Sequence, residues 1–288
     1  MRAIQALSLG LLILGIVPRT QAANDKSVQL NYERRALAVT PGPSVVDRAA
    51  AGERLDYLTG EFYITHVDAT LPGTGPTAGV VRTFSPGEAS REGPFDGPFG
   101  DWQFDLPRIT TLTLGTDARP NWVVEGDQPA ARCTRFGKPP SSNGIDPTTW
   151  WSGYQLALPG EVPQELVQRS ANNTRMPQMQ DDSGKALSFP ILTTSQWQVT
   201  CLGATTNGEA GEAFIAISPN GMKHYFTHLV YEAVTPVAGP NGEEIQRHRA
   251  NMLPTRIVDR HGNAVDFIYD KNKLVRIERP GEVALDIG

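Results

Sequence analysis

What most limits the folds open to this chain is its punctuation. Apolar residues hardly ever keep step with a helical turn; they come in short runs, rich in β-branched and aromatic residues, that stop at Gly, Pro, Asn or Asp. Such runs are EFYITHV (61–67), GVVRTFS (79–85), WQFDL (102–106), ITTLTLG (109–115), NWVVEG (121–126), YQLALPG (154–160), SQWQVTCLG (195–203) and AFIAIS (213–218). Short alternating runs bounded by turn residues are strands, and 28 Gly and 23 Pro leave little uninterrupted chain for helices. The expected class is all-β: short antiparallel strands and hairpins, arranged as a β-sandwich or as the start of an open β-shell.

Local signals refine this. In ISPNGMKHYF, Asn220 and Gly221 can both adopt positive φ, as a tight hairpin turn requires, with apolar alternation on either side. GKPPSSNGIDPTT (137–149) and NTRMPQMQDDSGK (173–185) are long and polar and read as surface loops. Near the C-terminus, Thr255 to Asp259, Ala264 to Tyr269 and Leu274 to Glu278 read as a three-strand meander with turns at 260–263 and 270–273. Val265, Phe267 and Tyr269 share one face of its middle strand. Three strands cannot cover such a face themselves, so the meander must dock on the preceding domain or stack on further copies.

The first 22 residues place Arg2 before an apolar run from Leu7 to Val17, followed by Pro18 and small residues ending at Ala22. This is the layout of a secretory signal peptide, and about eleven apolar residues fall short of the roughly 20 that a membrane-spanning helix needs. Export is expected, to the periplasm, the cell surface or the medium. Removing residues 1–22 takes away Arg2 and Arg19 and moves the formal charge from −5 to −7, which offers no basic face to nucleic acid. In an oxidising compartment Cys133 and Cys201 are expected to be bridged, the alternative being two separate buried thiols. Residues 23–56 read as a flexible lead-in, with a possible short helix in SVVDRAAAGERLDY capped by Ser44. A β-rich domain over 57–252 and the meander over 253–288 complete the organisation.

At DRHGNAVDFIYDKNKLVRIERPG the sequence resembles a YD repeat of the RHS family, whose repeats begin near a D-R-x-G-N turn and centre on Y-x-Y-D-x-x-G-R-L. Asp259, Arg260, Gly262 and Asn263 match the turn; Tyr269, Asp270 and Leu274 match the centre, with Phe267 at the first aromatic position. Asn272 stands where Gly is usual and retains access to left-handed backbone angles; Lys273 replaces Arg. Upstream, Asp68 with Pro72 and Gly73, Arg82 with Phe84, and Phe99, Gly100 and Trp102 resemble the segment that precedes the repeats, as does EAFIAISPNGMKHYF with Asn220 in an Asp position. The resemblance covers roughly 57–288. It implies an architecture rather than a chemistry: arrays of such hairpins wind into a β-shell around a toxin module. It implies that the chain is the front end of an RHS-type protein, whether a truncated product, one piece of a split gene or a short stand-alone relative, and serves as a structural or interaction segment in toxin delivery or cell contact. The partners it implies are further repeats or a toxin module, on this chain or a neighbouring one.

No set of residues assembles a reactive site in the sequence, so no catalytic group, cofactor or metal is assigned. His224 and His228 stand four apart but lack the Glu of a zinc helix, and on a strand they would share a face. Ser152 lacks a nucleophile elbow. Asp181 and Asp182 supply too few oxygens for calcium. The aromatic residues Trp102, Trp122, Trp150, Trp151, Trp197 and Tyr154 include one candidate sugar-stacking group, Trp150, Trp151 and Tyr154 in TTWWSGY. A secreted carbohydrate-binding module recognising cell-surface glycan, or a cell-wall-associated hydrolase, is therefore the alternative reading.

Overall fold

The computed structural model describes residues 53–55, 62–84, 102–116, 119–126, 131–170, 172–173, 175–180, 184, 186–238, 242, 244–282 and 284–287. The readings placed on residues 1–22 and on Ser44, Phe99, Gly100, Asp181 and Asp182 lie outside them. The described residues form strands with one 3-10 turn at Pro147–Thr149, and every strand pairing is antiparallel. Glu53–Leu55, at the end of the stretch read as a helix, is strand β1.

Strand β1 leads a four-stranded sheet in the order β1, β2 (Phe62–Leu71), β3 (Ala78–Phe84) and β4 (Trp102–Phe104). The second sheet holds β5 (Arg108–Thr116), β6 (Arg119–Asn121), β7 (Tyr154–Ala157), β8 (Gln164–Gln168), β9 (Ile191–Thr193) and β10 (Gln198–Leu202). It continues through β11 (Ala213–Ile217), β12 (Lys223–Ala238), β13 (Glu244–Val258), β14 (Ala264–Asp270), β15 (Lys273–Glu278) and β16 (Ala284–Asp286). Along one edge of β13, Arg247 to Met252 pair with β5, and Arg256 to Val258 pair with β14. The first pairing closes β5 and β7–β13 into an eight-stranded barrel; the second sends the sheet onward as β14–β16. Between the two lies Pro254, which has no N–H to donate. The described residues are all-β with antiparallel strands, as expected, and these are arranged as a closed barrel plus a small sheet because one strand serves both a ring and an open extension.

An eight-stranded barrel is just wide enough for side chains to fill it. Ile109, Trp122, Tyr154, Leu156, Ile191, Phe214, Leu229 and Met252 do so, none more than 2 % exposed. Strand β11 is buried on both faces: Phe214 and Ala216 join the barrel core, while Ile215 and Ile217 pack under Phe189, with Met179 and Leu187 beside them. That is why its sequence, AFIAI, is continuously apolar rather than alternating. The run 121–126, expected as a strand, contributes only Asn121 to β6; Trp122 and Val124 leave the ladder and are buried.

The meander forms as expected, but its first strand is the end of the 15-residue β13, so the boundary drawn at 252/253 falls inside a strand. Val265 and Phe267 are buried with Leu274, Ile277, Leu253 and Ile257 beneath Leu71, Ala78, Val80 and Phe104 of the small sheet and its exit, with Tyr269 at the margin. The chain's own N-terminal sheet therefore covers the apolar side of the meander. Its outer side carries ion pairs between Arg256 and Asp266 and between Arg276 and both Glu278 and Asp286.

The turn at 218–222 places Gly221 at φ +88 but not Asn220. Gly221 N–H donates to Ser218 O, and Ser218 N–H to Met222 O, the three-residue hairpin loop with glycine in the left-handed position. In the loop at 270–273 the positive φ belongs to Lys271 (φ +53), not to Asn272. His224 and His228 do not share a face, because the β12–β13 register shifts between Phe226 and His228. His224 meets Trp197 edge-on and stacks on Phe226 in the barrel core, whereas His228 stacks on Tyr269 of the meander.

Cys133 and Cys201, 68 positions apart in sequence, are joined in a disulfide with Cα atoms 5.5 Å apart. A loop of that size removes unfolded-state entropy worth about 4 kcal/mol in the chain-entropy model.

Two outcomes are expected. Val265→Asp places a charge in the covered interface and should lower unfolding free energy by roughly 3–5 kcal/mol; an unchanged denaturant midpoint would show the meander undocked. Burial pushes the His224 pKa down to about 4, and burial also lowers that of His228. Both imidazoles are neutral in the fold and bind a proton more readily when unfolded. The His224 contribution is therefore complete above pH 6.5 and falls as the pH drops from there toward 4, by about 3 kcal/mol, and the His228 contribution is likewise lost on the acid side. Melting temperature against pH should show this slope, and His224→Phe should flatten it.

Candidate functional site

The residues behind the family resemblance have structural tasks that can be read atom by atom. Asp259 organises the turn that follows β13. Its Oδ1 accepts from the backbone N–H groups of His261 (2.7 Å) and Asn263 (3.0 Å), and its Oδ2 accepts from Asn263 Nδ2 (2.8 Å). The Asn263 side chain, helped by those N–H groups, holds this carboxyl below the usual carboxylate range. Gly262 (φ +90) donates to Asp259 O, and Asp259 N–H donates to Asn263 O, so D-R-H-G-N repeats the loop geometry of S-P-N-G-M. Arg260 turns outward onto His261. Tyr269 donates to Pro254 O at 2.7 Å, fastening the meander to the fork in β13, while Phe267 and Leu274 are buried. Asp270 pairs with Lys273 across the two-residue loop.

A second contact was not legible beforehand. Arg279, 5 % exposed at the end of the meander, reaches into the β2–β3 turn, residues 71–77. Its Nε donates to Pro72 O (3.0 Å), Nη1 to Thr74 O (2.8 Å), and Nη2 to Pro76 O (2.8 Å) and Leu71 O (3.5 Å). The planar fork of five N–H donors suits a ring of carbonyls that a single ammonium could not span. The turn can close because it carries Gly75: a Cβ there would lie 2.5 Å from the Asn263 Cβ. Pro72 and Gly73, singled out by the resemblance, thus belong to the clamp on the C-terminal meander. The other upstream matches gather on the small sheet, where Asp68 pairs with Arg82, the Arg82 guanidinium lies 5.1 Å from the Trp102 ring, and Phe84 packs 5.7 Å from Trp102.

The three candidate sugar-stacking residues do not form an open platform. Tyr154 is 1 % exposed inside the barrel, receives the Trp122 indole N–H and lies against the Arg132 and Gly137 carbonyls. Trp151 is half-buried and donates its Nε1 to Thr111 (2.9 Å). Trp150 is half-buried with the Arg247 guanidinium 5.6 Å from its ring. Sequence spacing placed them together; the start of β7 turns Tyr154 into the core.

Tyr154 borders the segment 131–138, which packs at the barrel end where β7 and β11 begin. Glu212 accepts from the N–H groups of Cys133 (2.9 Å) and Thr134 (2.8 Å) and from the Thr134 hydroxyl (2.9 Å). Phe136 packs 4.4 Å from Tyr154. Arg132 is 1 % exposed, lies 5.3 Å from the Trp122 ring and donates one Nη2 hydrogen bond to Ala210 O. Its Nε and Nη1 have no hydrogen-bond partner, and burial pulls its pKa below the usual guanidinium value.

Among the described residues, no three His, Cys, Asp or Glu side chains stand close enough together to hold a metal ion, and no helix is long and apolar enough to cross a membrane. A depression of about 410 Å³ bordered by Ser170, Asn172, Asn173 and Arg175 is open and polar, with no reactive pair facing it.

No family model matches the chain, and no curated protein matches it. Among solved structures, the crystal structure of TcdB2-TccC3 is similar over 76 % of this chain, at 15 % identity and a TM-score of 0.28; the chain spans 9 % of the length of that one.

Removing the clamp tests its weight. Arg279→Ala should lower unfolding free energy by roughly 3–5 kcal/mol, because carbonyls buried around a cation lose their donors. Arg279→Lys should recover less than half of that in chemical denaturation. Full recovery by Lys would reduce the clamp to a point charge.

Proposed function

We propose that the chain is an exported, non-enzymatic structural and interaction module of the RHS type, in which the barrel caps one end of a β-shell and the meander begins its wall. The observation that carries this reading is the divided edge of β13. The strand closes a filled barrel and in the same stroke launches an open sheet, whose turn, core and fork contacts are made by Asp259, Asn263, Phe267, Tyr269 and Leu274. Among the described residues the barrel interior is filled by side chains such as Trp122, Tyr154, Phe214 and Met252. With Arg279 holding the meander against the small sheet, the extension is a fixed wall rather than a loose tail. The role in toxin delivery or cell contact rests on the resemblance of those same residues to YD repeats.

A direct test extends the wall. Two further hairpins with D-R-x-G-N turns, fused after Gly288, should become resistant to limited proteolysis and add strand signal in circular dichroism. The same hairpins behind Val265→Asp should be digested. Digestion in both would overturn the reading. A glycan array should return no specific signal, and a signal abolished by Trp150→Ala would put the carbohydrate-binding alternative in its place.

A further inference from the structure

The Cys133–Cys201 disulfide ties a loop to a strand. It fixes segment 131–138, the stopper of one barrel end, to the rim strand β10. The stopper carries Arg132 into the core with two of its three guanidinium nitrogens lacking a partner and no carboxylate among its hydrogen bonds. A buried cation so poorly satisfied favours leaving for water, yet the neighbouring residue is covalently held. The remaining ties are non-covalent: Glu212 on the N–H groups of Cys133 and Thr134, Tyr154 on the Arg132 and Gly137 carbonyls, the Phe136 ring against Tyr154, Arg132 over the Trp122 ring, and the Glu125 N–H on Lys138 O.

We propose that this disulfide is a redox latch: its reduction by a dithiol releases segment 131–138 from the barrel end, carries Arg132 and Phe136 into solvent and uncovers an aromatic mouth formed by Trp122 and Tyr154. The chemistry balances with a dithiol as the two-electron donor. Its thiolate attacks the Cys201 sulfur, the less buried of the two; the S–S bond breaks and the Cys133 sulfur leaves as a thiolate that takes up a proton. The second thiol of the donor then displaces Cys201, so the protein ends with two thiols and the donor with a cyclic disulfide. The opening is local because the strands β12 and β13 that close the barrel do not depend on the bridge.

Hydrogen exchange on the full chain, oxidised and in dithiothreitol, reads the latch directly. The reporters are the amides of Cys133, Thr134 and Arg135, which donate to Glu212 and to Ala131 O. On reduction their exchange should accelerate at least about tenfold while amides of β12 and β13 keep their protection. The Cys133→Ser/Cys201→Ser variant should match the reduced protein. Arg132→Met, which removes the cation that drives the release, should keep the stopper protected under dithiothreitol. Equal protection of 131–138 in both redox states would overturn the latch. So would simultaneous loss of protection in every strand, and so would an Arg132→Met protein that opens on reduction as readily as the parent.

Discussion

The arrangement depends on one strand edge being shared. A β-strand offers a single row of N–H and C=O groups on each side, and β13 divides one row between β5 and β14 with Pro254 at the division. Closure against β5 removes the exposed edges that an open sheet would present. The remaining half of the row then has to lead somewhere, and β14–β16 take it. From that division follow the apolar underside of the meander, the small sheet that covers it, and the Arg279 clamp that keeps the two in register.

How far this could be read in advance depended on whether the signal was local. Alternation and turn residues identified β2, β3, β4, β5, β7, β10 and the meander, because each has one face in an apolar environment and a turn at its end; β11, buried on both faces, was legible as a short apolar run bounded by turn residues. QELVQ and ILT were missed as β8 and β9: Leu166 alone marks the buried side of the first, and the second is only three residues long. The hairpin β12–β13 was not foreseen at its full length because Pro236 and Pro254 interrupt its pattern and its register slips at Phe226. That slip also separates His224 from His228. Barrel closure was invisible, since Thr110 gives no sign that its neighbour is Ala250.

The same division explains the site. The turn chemistry of Asp259, Gly262 and Asn263 is encoded within five residues and was legible as a motif. The partners of Arg279 lie more than 200 positions away, and they are main-chain carbonyls, which any sequence could supply. Only Pro72 and Gly73 hinted at that turn. For the stopper, two cysteines announced a covalent tie, but nothing announced that Arg132 beside one of them would be carried into the core.

The Thr110 hydroxyl bonds Ala250 O across 140 residues, and that separation has a kinetic meaning. On a ribosome, N-terminus first, β5 is made long before the strand that completes its hydrogen bonds. In the interval its unpaired groups and the apolar side chains of β7–β11 face solvent as a curved, unfinished sheet. Contacts so distant in sequence form slowly because the intervening chain must first be ordered. Such a sheet is a target for strand-swapped assembly with its own copies and for holding chaperones.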